Sequence, residues 1–409
     1  MLNHWIWLST RKDMTEREIA AVYEYFGDPE SVYYAEAQSY RQIPGIRAKA
    51  VGSLCDKSLD EARKIIQRCA HEQIHILSFQ DAAYPRRLKA IPDPPMVLYY
   101  KGILPDFDET LFVGAVGTRS CTEYGMKMAR QMGYQLGRAG AVVISGMAEG
   151  IDAGVIGGAL AADGCVVGIL GCGVDRIYPA SNGDLFEASL KKGCLISEFP
   201  PGMRPYKWNF PKRNRLISGM SHGVLIVEAP EKSGAMITAR QALDHGKELY
   251  AVPGNANAES AKGSNQLIMD GASVAQCGRD ILERFSPRFP ELKICDEECP
   301  DPAILGKMTK LSSGTQSPPE RKTEKFSLNY KIDIDNPAKQ PYIDVEKHHP
   351  QLSDEERAIV AQLSQGARNL DEVVCSAGLS TGKVMSLLTM LEIKGVIRRR
   401  PGNIIDLQE

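Results

Sequence analysis

The sequence predicts an α/β fold built on a doubly wound parallel sheet, with helices before it and a small helix-and-ribbon module after it. Three observations predict this. Short β-branched apolar runs alternate with amphipathic stretches across residues 111–285, which is the rhythm of βαβ units. The grammar of Leu111–Ser120 is repeated in Ala141–Asp152: an apolar run, a glycine corner, then a helical pattern. From residue 288 to 350 the composition turns to Pro, Ser, Lys, Asp and Glu before order returns at Leu352.

Ordinary globular composition frames this reading. The 409 residues are 43% hydrophobic and 24% charged, enough for two or three domains. A formal net charge of −2 means that any site for a polyanion must be a local patch. The ten cysteines lack paired spacing, and Cys121, Cys165, Cys172 and Cys194 read as reduced core residues. Cys295 and Cys299 would need two further ligands to hold a metal, and no partners are evident. No charged leader precedes a long apolar core and no apolar run reaches membrane length, so a cytoplasmic protein that does not engage a membrane is expected.

In chain order, residues 1–75 read as a helical domain, with Ile19, Val22, Tyr23 and Phe26 on one face of a helix from Met14 to Phe26. Ile43–Val51 is a Gly turn leading into a helix. It is either a helix-hairpin-helix turn that offers N–H groups to a phosphate or, preferably, a plain packing turn. Strands at Ile74–Phe79 and Met96–Tyr100 open a core that spans 76–287. Further strands are expected at Leu111–Val116, Ala141–Ser145, Cys165–Leu170, Cys194–Ser197, Gly223–Glu228 and Glu248–Val252. Helices fit at Tyr124–Ala139, Gly150–Ala162, Asn182–Lys192, Asn214–Met220, Met236–His245 and Asn265–Asp270. Residues 288–350 read as a flexible linker, and 351–409 as helices at Asp354–Leu363, Asn369–Ser376 and Ser380–Lys394 followed by a hairpin, a winged-helix pattern.

Chemistry gathers at the glycine corners. In Gly117-Thr118-Arg119-Ser120 a guanidinium stands beside two hydroxyls and the start of a helix, a setting suited to phosphate or carboxylate. The second corner, Ser145-Gly146 to Gly150 and Asp152, has no cation, and Asp152 reads as an acceptor that orients the loop. The third, Gly171-Cys-Gly173, offers only backbone. None spells a dinucleotide or P-loop fingerprint. The stretch Glu198–Arg215 carries Arg204, Lys207, Lys212, Arg213 and Arg215 interleaved with Tyr206, Trp208 and Phe210, the composition of a single-strand nucleic-acid site. Its aromatics, Trp208 above all, could instead pack on the sheet. Ser233-Gly234 opens another helix that offers N–H groups to the same ligand. No His lies near a nucleophile motif, His222 and His245 read as structural, and no acidic cluster has metal-binding spacing; neither a catalytic set nor a metal site is expected.

The motifs Gly114-Ala-Val-Gly-Thr-Arg-Ser120, Ser145-Gly-Met-Ala-Glu-Gly-Ile-Asp152, Ser197-Glu-Phe-Pro-Pro-Gly202, Asn209-Phe-Pro-Lys-Arg-Asn-Arg-Leu-Ile-Ser-Gly219, Val227-Glu-Ala229, Ser233-Gly-Ala-Met-Ile-Thr238 and Val252-Pro-Gly254 resemble, in order, those of the DNA-processing protein A (DprA, or Smf) family. The resemblance covers residues 75–285 and implies an extended Rossmann fold without an enzymatic cofactor. A sterile-alpha-motif-like domain before the core and a winged helix after it also fit. It further implies single-stranded DNA as ligand in natural transformation, a homodimer through the core, and loading of the RecA recombinase. The family's binding positions fall on Arg119, Lys207, Phe210, Arg213, Asn214 and Arg215, with Asn209 and Lys212 in the same element. Where many relatives have a basic residue after Tyr-Pro, Tyr178-Pro179 is followed here by Ala180, leaving Arg176 or Lys212 to replace that contact. Two other readings compete. A nucleotide-monophosphate phosphoribohydrolase is disfavoured because Gln241 stands where its catalytic Glu belongs. A winged-helix transcription regulator would rely on Arg398–Arg400 and a recognition helix whose only basic residues are Lys383 and Lys394.

Overall fold

The structure, a computed structural model, describes residues 1–300, 360, 368–369, 384, 387–388, 391, 396–400 and 404–407. The chain divides into two compact units, Met1–Thr315 and Gln316–Glu409.

The first unit begins with six helices: α1 (Leu2–Ser9), α2 (Glu16–Phe26), α3 (Pro29–Tyr34), α4 (Ala37–Tyr40), α5 (Ala48–Cys55) and α6 (Asp60–His71). Thr15 and Glu18 form a reciprocal capping box at the start of α2. Glu18 also takes Arg47 at 2.6 Å, tying α2 to the turn before α5. The Gly turn is therefore a joint between helices, with Gly45 at φ +76°. Trp5 and Trp7 are buried with Tyr99, Leu195 and Phe186, so these helices share one hydrophobic layer with the sheet.

A nine-stranded sheet follows in the order β1-β2-β6-β5-β4-β3-β7-β8-β9. The strands are β1 (His75–Ser78), β2 (Val97–Gly102), β3 (Phe112–Val116), β4 (Val142–Ser145), β5 (Val166–Ile169), β6 (Cys194–Ser197), β7 (Gly223–Ile226), β8 (Glu248–Ala251) and β9 (Ser273–Val274), and the helices between them include α7 (Arg86–Lys89), α10 (Gly183–Lys192) and α13 (Lys262–Met269). The pairs β1–β2 and β2–β6 are antiparallel, and all others are parallel. Alternation along each strand sorts side chains to two layers. Val113 and Ala115 join the layer containing α8 (Glu123–Arg138) and α9 (Ile151–Ala161), whereas Phe112 and Val116 join the layer containing α11 (Asn209–Met220) and α12 (Gly234–Asp244). Helices α8 and α9 cross closely, because a Cβ on Gly133 would lie 2.0 Å from the Val155 carbonyl oxygen. Strand order reverses between β3 and β7, the switch point at which such sheets open a ligand crevice.

Every strand expected from the sequence is present within two residues of its expected ends. Helix α11 starts five residues earlier than expected, because Pro211 falls in its first turn, where the missing N–H breaks no helical bond. Strand β9 and α14 (Gly278–Phe285) were not anticipated; two strand residues give no periodic signal. Residues 289–299 also differ from the linker reading. Phe289 is buried, the Lys293 N–H donates to the Ala139 carbonyl at 3.0 Å, and the Cys299 N–H donates to Gln131 Oε1 at 2.8 Å, so this segment runs along α8. The rest of the expected linker, 301–350, lies outside the described residues.

In the second unit, β10 (Arg368–Asn369), β11 (Ile397–Arg400) and β12 (Ile404–Leu407) form an antiparallel sheet in the order β10-β12-β11. Val384, Leu388 and Leu391 are helical and buried, matching one face of the expected third helix. Asn369 pairs with Ile404 in a strand instead of opening the expected second helix, whose remaining residues are outside the described set. Among the described residues no helix is long and apolar enough to cross a membrane.

His222 welds the sheet to α11. Its N–H donates to the Phe112 carbonyl at 2.9 Å, and its Nδ1 accepts from the Phe112 N–H at 3.0 Å. Burial among Phe285, Phe289 and nearby cations lowers its pKa to about 3. The unfolded chain binds this proton below about pH 6.5 and the folded chain does not, so stability falls as pH drops from 6.5 toward 3. His222→Gln is expected to shrink the fall in melting temperature between pH 7 and pH 5. An equal fall in both proteins would contradict this.

Candidate nucleic-acid interface

The carboxyl ends of β3, β4 and β7 meet at the switch point, where glycines let their loops touch. The Thr118 N–H donates to the Glu228 carbonyl at 2.7 Å, and the Ile151 N–H to the Thr118 carbonyl at 3.1 Å. Gly150 sits at φ +74°, and a Cβ there would lie 2.4 Å from the Arg119 carbonyl oxygen and 2.5 Å from that of Thr118. A Cβ on Gly117 would lie 2.6 Å from Ile151 and 2.8 Å from the Glu228 carbonyl oxygen. The first and second corners are therefore a single locked unit.

One of the helices that start here is already closed by a carboxylate, and a second carboxylate holds the loop that leads into α9. Glu228 accepts from the Thr122 N–H at 2.9 Å and the Thr122 hydroxyl at 3.0 Å, occupying the start of α8. Asp152, 5% exposed, accepts from the N–H groups of Gly146 at 3.1 Å and Ala148 at 3.4 Å. The sequence suggested an open helix start beside Arg119; the carboxylate of Glu228 takes that place. The start of α12 is different. Its first residue, Gly234, follows Ser233, whose hydroxyl has no hydrogen-bond partner and caps nothing. Positive charge at a helix N-terminus is left there for an external anion.

A groove of about 490 Å³ opens over this point. Of the residues singled out from the sequence, Gly117, Thr118, Arg119, Ser120, Asp152, Lys207, Phe210, Arg213, Asn214, Ser233 and Gly234 line it. Arg119 and Lys207 are exposed. The Arg119 guanidinium lies 5.3 Å from the centre of the Phe210 ring, a cation–π contact that holds it over the groove. Tyr178, 40% exposed, packs against Phe210 at 5.5 Å between ring centres. Tyr178 was read only as part of the Tyr178-Pro179 element and not as a binding residue.

The remaining positions sit elsewhere. Ser145 is buried and donates to the Ala115 carbonyl at 2.7 Å. Gly146 gives room to the Arg213 guanidinium, which a Cβ would meet at 2.3 Å. Gly171 receives the Phe210 ring, and Gly173 lies against the Pro200–Gly202 turn. Asn209 is buried and donates to the Gly171 carbonyl at 3.0 Å. Arg215 is buried in an ion pair with Glu198 at 2.5 Å, with Asp93 at 3.6 Å. Lys212 pairs with Glu16 of α2 and faces the N-terminal helices. Neither expected substitute for the cation absent at Ala180 lines the groove: Lys212 is held by Glu16, and Arg176 donates to the Gly202 carbonyl at 3.1 Å. Trp208, read as a possible packing residue, is 69% exposed.

Arg213 is a structural cation at the groove floor. Its guanidinium donates to the Ile169 carbonyl and faces Asp152 across Gly146. Burial pushes its pKa down to about 10, with Asp152 opposing, and burial pushes the Asp152 carboxyl up, with Arg213 opposing. Among the described residues no three His, Cys, Asp or Glu side chains are arranged to hold a metal.

The fold and site define a Rossmann-like protein with a groove lined by cations and aromatic rings at its switch point. Residues 75–286 match the family model of DNA recombination-mediator protein A, and residues 346–403 match the DprA winged helix domain. The chain belongs to the DNA recombination-mediator protein A (DprA) family. It is 37% identical over 243 residues to the DNA processing protein DprA of Bacillus subtilis, covering 59% of this chain and 82% of that one. It is 34% identical over 331 residues to protein Smf of Synechocystis, covering 80% and 78%. The solved structure of DprA from Streptococcus pneumoniae superposes with a TM-score of 0.62 at 30% identity, covering 69% of this chain and 98% of that chain.

The contrast between the two arginines is measurable. Arg213→Ala leaves Asp152 buried without its counter-charge and is expected to cost about 3–5 kcal/mol in urea unfolding followed by the buried Trp5 and Trp7. Exposed Arg119→Ala is expected to change stability by no more than about 0.5 kcal/mol. Equal losses would refute this division.

Proposed function

We propose that the groove binds single-stranded DNA by its phosphates, with little sequence preference, and that the protein acts in DNA processing as a binding protein without a catalytic step of its own. The observation that carries this reading is the pairing of free cations with an open helix start: Arg119 and Lys207 flank Ser233-Gly234, where a phosphate gains a guanidinium fork and N–H donors together. The aromatic wall of half-buried Phe210 and exposed Tyr178 supports a single strand over a duplex, because unpaired bases offer faces to stack. Family membership supports a role in natural transformation: protection of incoming single strands, a homodimer through the core, delivery of the strand to RecA recombinase, and a cytoplasmic location. The phosphoribohydrolase reading lacks its base. Gln241 lies on the third turn of α12, its amide reaching the Pro211 carbonyl at 3.5 Å, and an amide cannot accept the proton that a carboxylate would.

Affinity is expected to fall steeply with salt, through counterion release, and to favour a single strand over a blunt duplex of equal length. Arg119→Ala should weaken binding at least about tenfold, the equivalent of about 1.4 kcal/mol, and flatten the salt slope. Arg119→Lys should recover part of the loss, since it keeps the charge and loses the fork. Phe210→Ala should weaken binding with little change in slope. Wild-type affinity in folded Arg119→Ala, or tighter binding of duplex, would overturn the proposal.

A further inference from the structure

A second aromatic feature adjoins the groove without lining it. Trp208 is 69% exposed, whereas Trp5 and Trp7, the other two tryptophans, are buried. Its ring stacks on Tyr206 at 4.7 Å with 5° between planes. The loop that carries the pair is held in place. The Gly173 N–H donates to the Met203 carbonyl at 3.1 Å, the Asn209 N–H to the Tyr206 carbonyl at 3.0 Å, and the Asn209 side chain to the Gly171 carbonyl at 3.0 Å. The platform is thus preorganised, which spares the ordering cost of binding.

Lys207, between the two rings in sequence, lines the phosphate groove, while Tyr206 and Trp208 line a cleft of about 400 Å³ bounded by the N-terminal helices. This alternation puts a phosphate cation and a stacking surface on opposite sides of one loop. The cleft has no excess of cations to draw a phosphate, because Glu16, Glu61 and Glu198 balance Arg11, Lys12 and Lys212 in its lining. It does suit a neutral ring with N–H donors. Glu198, whose side chain is 7% exposed, carries a buried Oε1 that has no partner. An exposed large aromatic pair beside a buried, unsatisfied acceptor is the make-up of a base site.

We propose that Tyr206, Trp208 and the adjoining cleft form a second subsite that stacks a nucleobase of the strand flanking the segment held in the groove. This rests on the single-strand reading above. The strand crosses the loop at Lys207, its phosphate remaining on the groove side and its base turning toward Trp208.

The test uses the full chain, oligothymidylates of about six and about fifteen nucleotides, within the range of site sizes for such surfaces, and thymidine monophosphate. The longer strand should quench tryptophan emission in the wild type and leave it unchanged in Trp208→Phe, where only the buried tryptophans remain. Trp208→Ala should lose about tenfold in affinity for the longer strand, in the range of one stacked base, and bind the shorter one as wild type does. Trp208→Phe should retain most of the affinity, which a merely structural role for the loop would not predict. The subsite is refuted if Trp208→Ala binds both lengths as wild type or loses both equally. Saturable binding of thymidine monophosphate as tight as the longer strand would also refute it, in favour of a mononucleotide site. Arg119→Ala separates the two proposals: if it abolishes strand binding while Trp208→Ala changes nothing, the groove stands and this subsite alone falls.

Discussion

The groove depends on one close approach, the passage of Gly150 against the carbonyls of Thr118 and Arg119. With a Cβ at position 150 lying 2.4–2.5 Å from two carbonyl oxygens, any side chain would push the corners after β3 and β4 apart. The Ile151 N–H bond to Thr118 and the Thr118 N–H bond to Glu228 would go with it. Those two bonds span three strand ends, so the path of residues 117–120 is fixed by backbone alone. Arg119 is thereby carried outward over Phe210, free of any structural duty.

Charge is divided between buried groups that hold the site and exposed groups that are available to a ligand. Asp152 and Arg213 face each other across Gly146, Glu198 holds Arg215, and Glu228 closes the start of α8. A buried charge survives only with a counter-charge or donors, so these groups are not free to meet a ligand. The start of α8 is closed by the protein's own carboxylate, and the start of α12 at Ser233-Gly234 carries no side-chain cap. With an overall charge of −2, long-range attraction is weak, and the proposed anion binding rests on the uncapped start of α12 and the two exposed cations that line the same groove.

The sheet was legible because buried parallel strands are continuous apolar runs closed by glycine, and the corners at 117 and 150 announce themselves as Gly. The sorting of the basic residues was not legible. Lys212, Arg213 and Arg215 appear in sequence as one cluster with Lys207, yet they stand on α11, where each step turns by about 100°. They point to Glu16, to Ile169 and to Glu198 respectively, partners that no local pattern reveals. The attachment of residues 289–299 to α8 was hidden for a related reason. It rests on backbone bonds and on Gln131, while its composition is that of a linker.

The same sorting suits the proposed binding role better than a catalytic one. Chemistry on a phosphate ester or glycosidic bond needs a carboxylate or imidazole within reach of the reacting atoms. The carboxylate in the groove lining, Asp152, accepts at Oδ2 from the N–H groups of Gly146 and Ala148 and is almost fully buried. What faces outward is a guanidinium, an ammonium, an open helix start and aromatic faces. Each stabilises the ground state of a bound strand as well as any distorted state, which confers affinity without rate. Contacts to phosphates and ring faces are also common to every nucleotide, so the proposed reading entails little dependence on sequence.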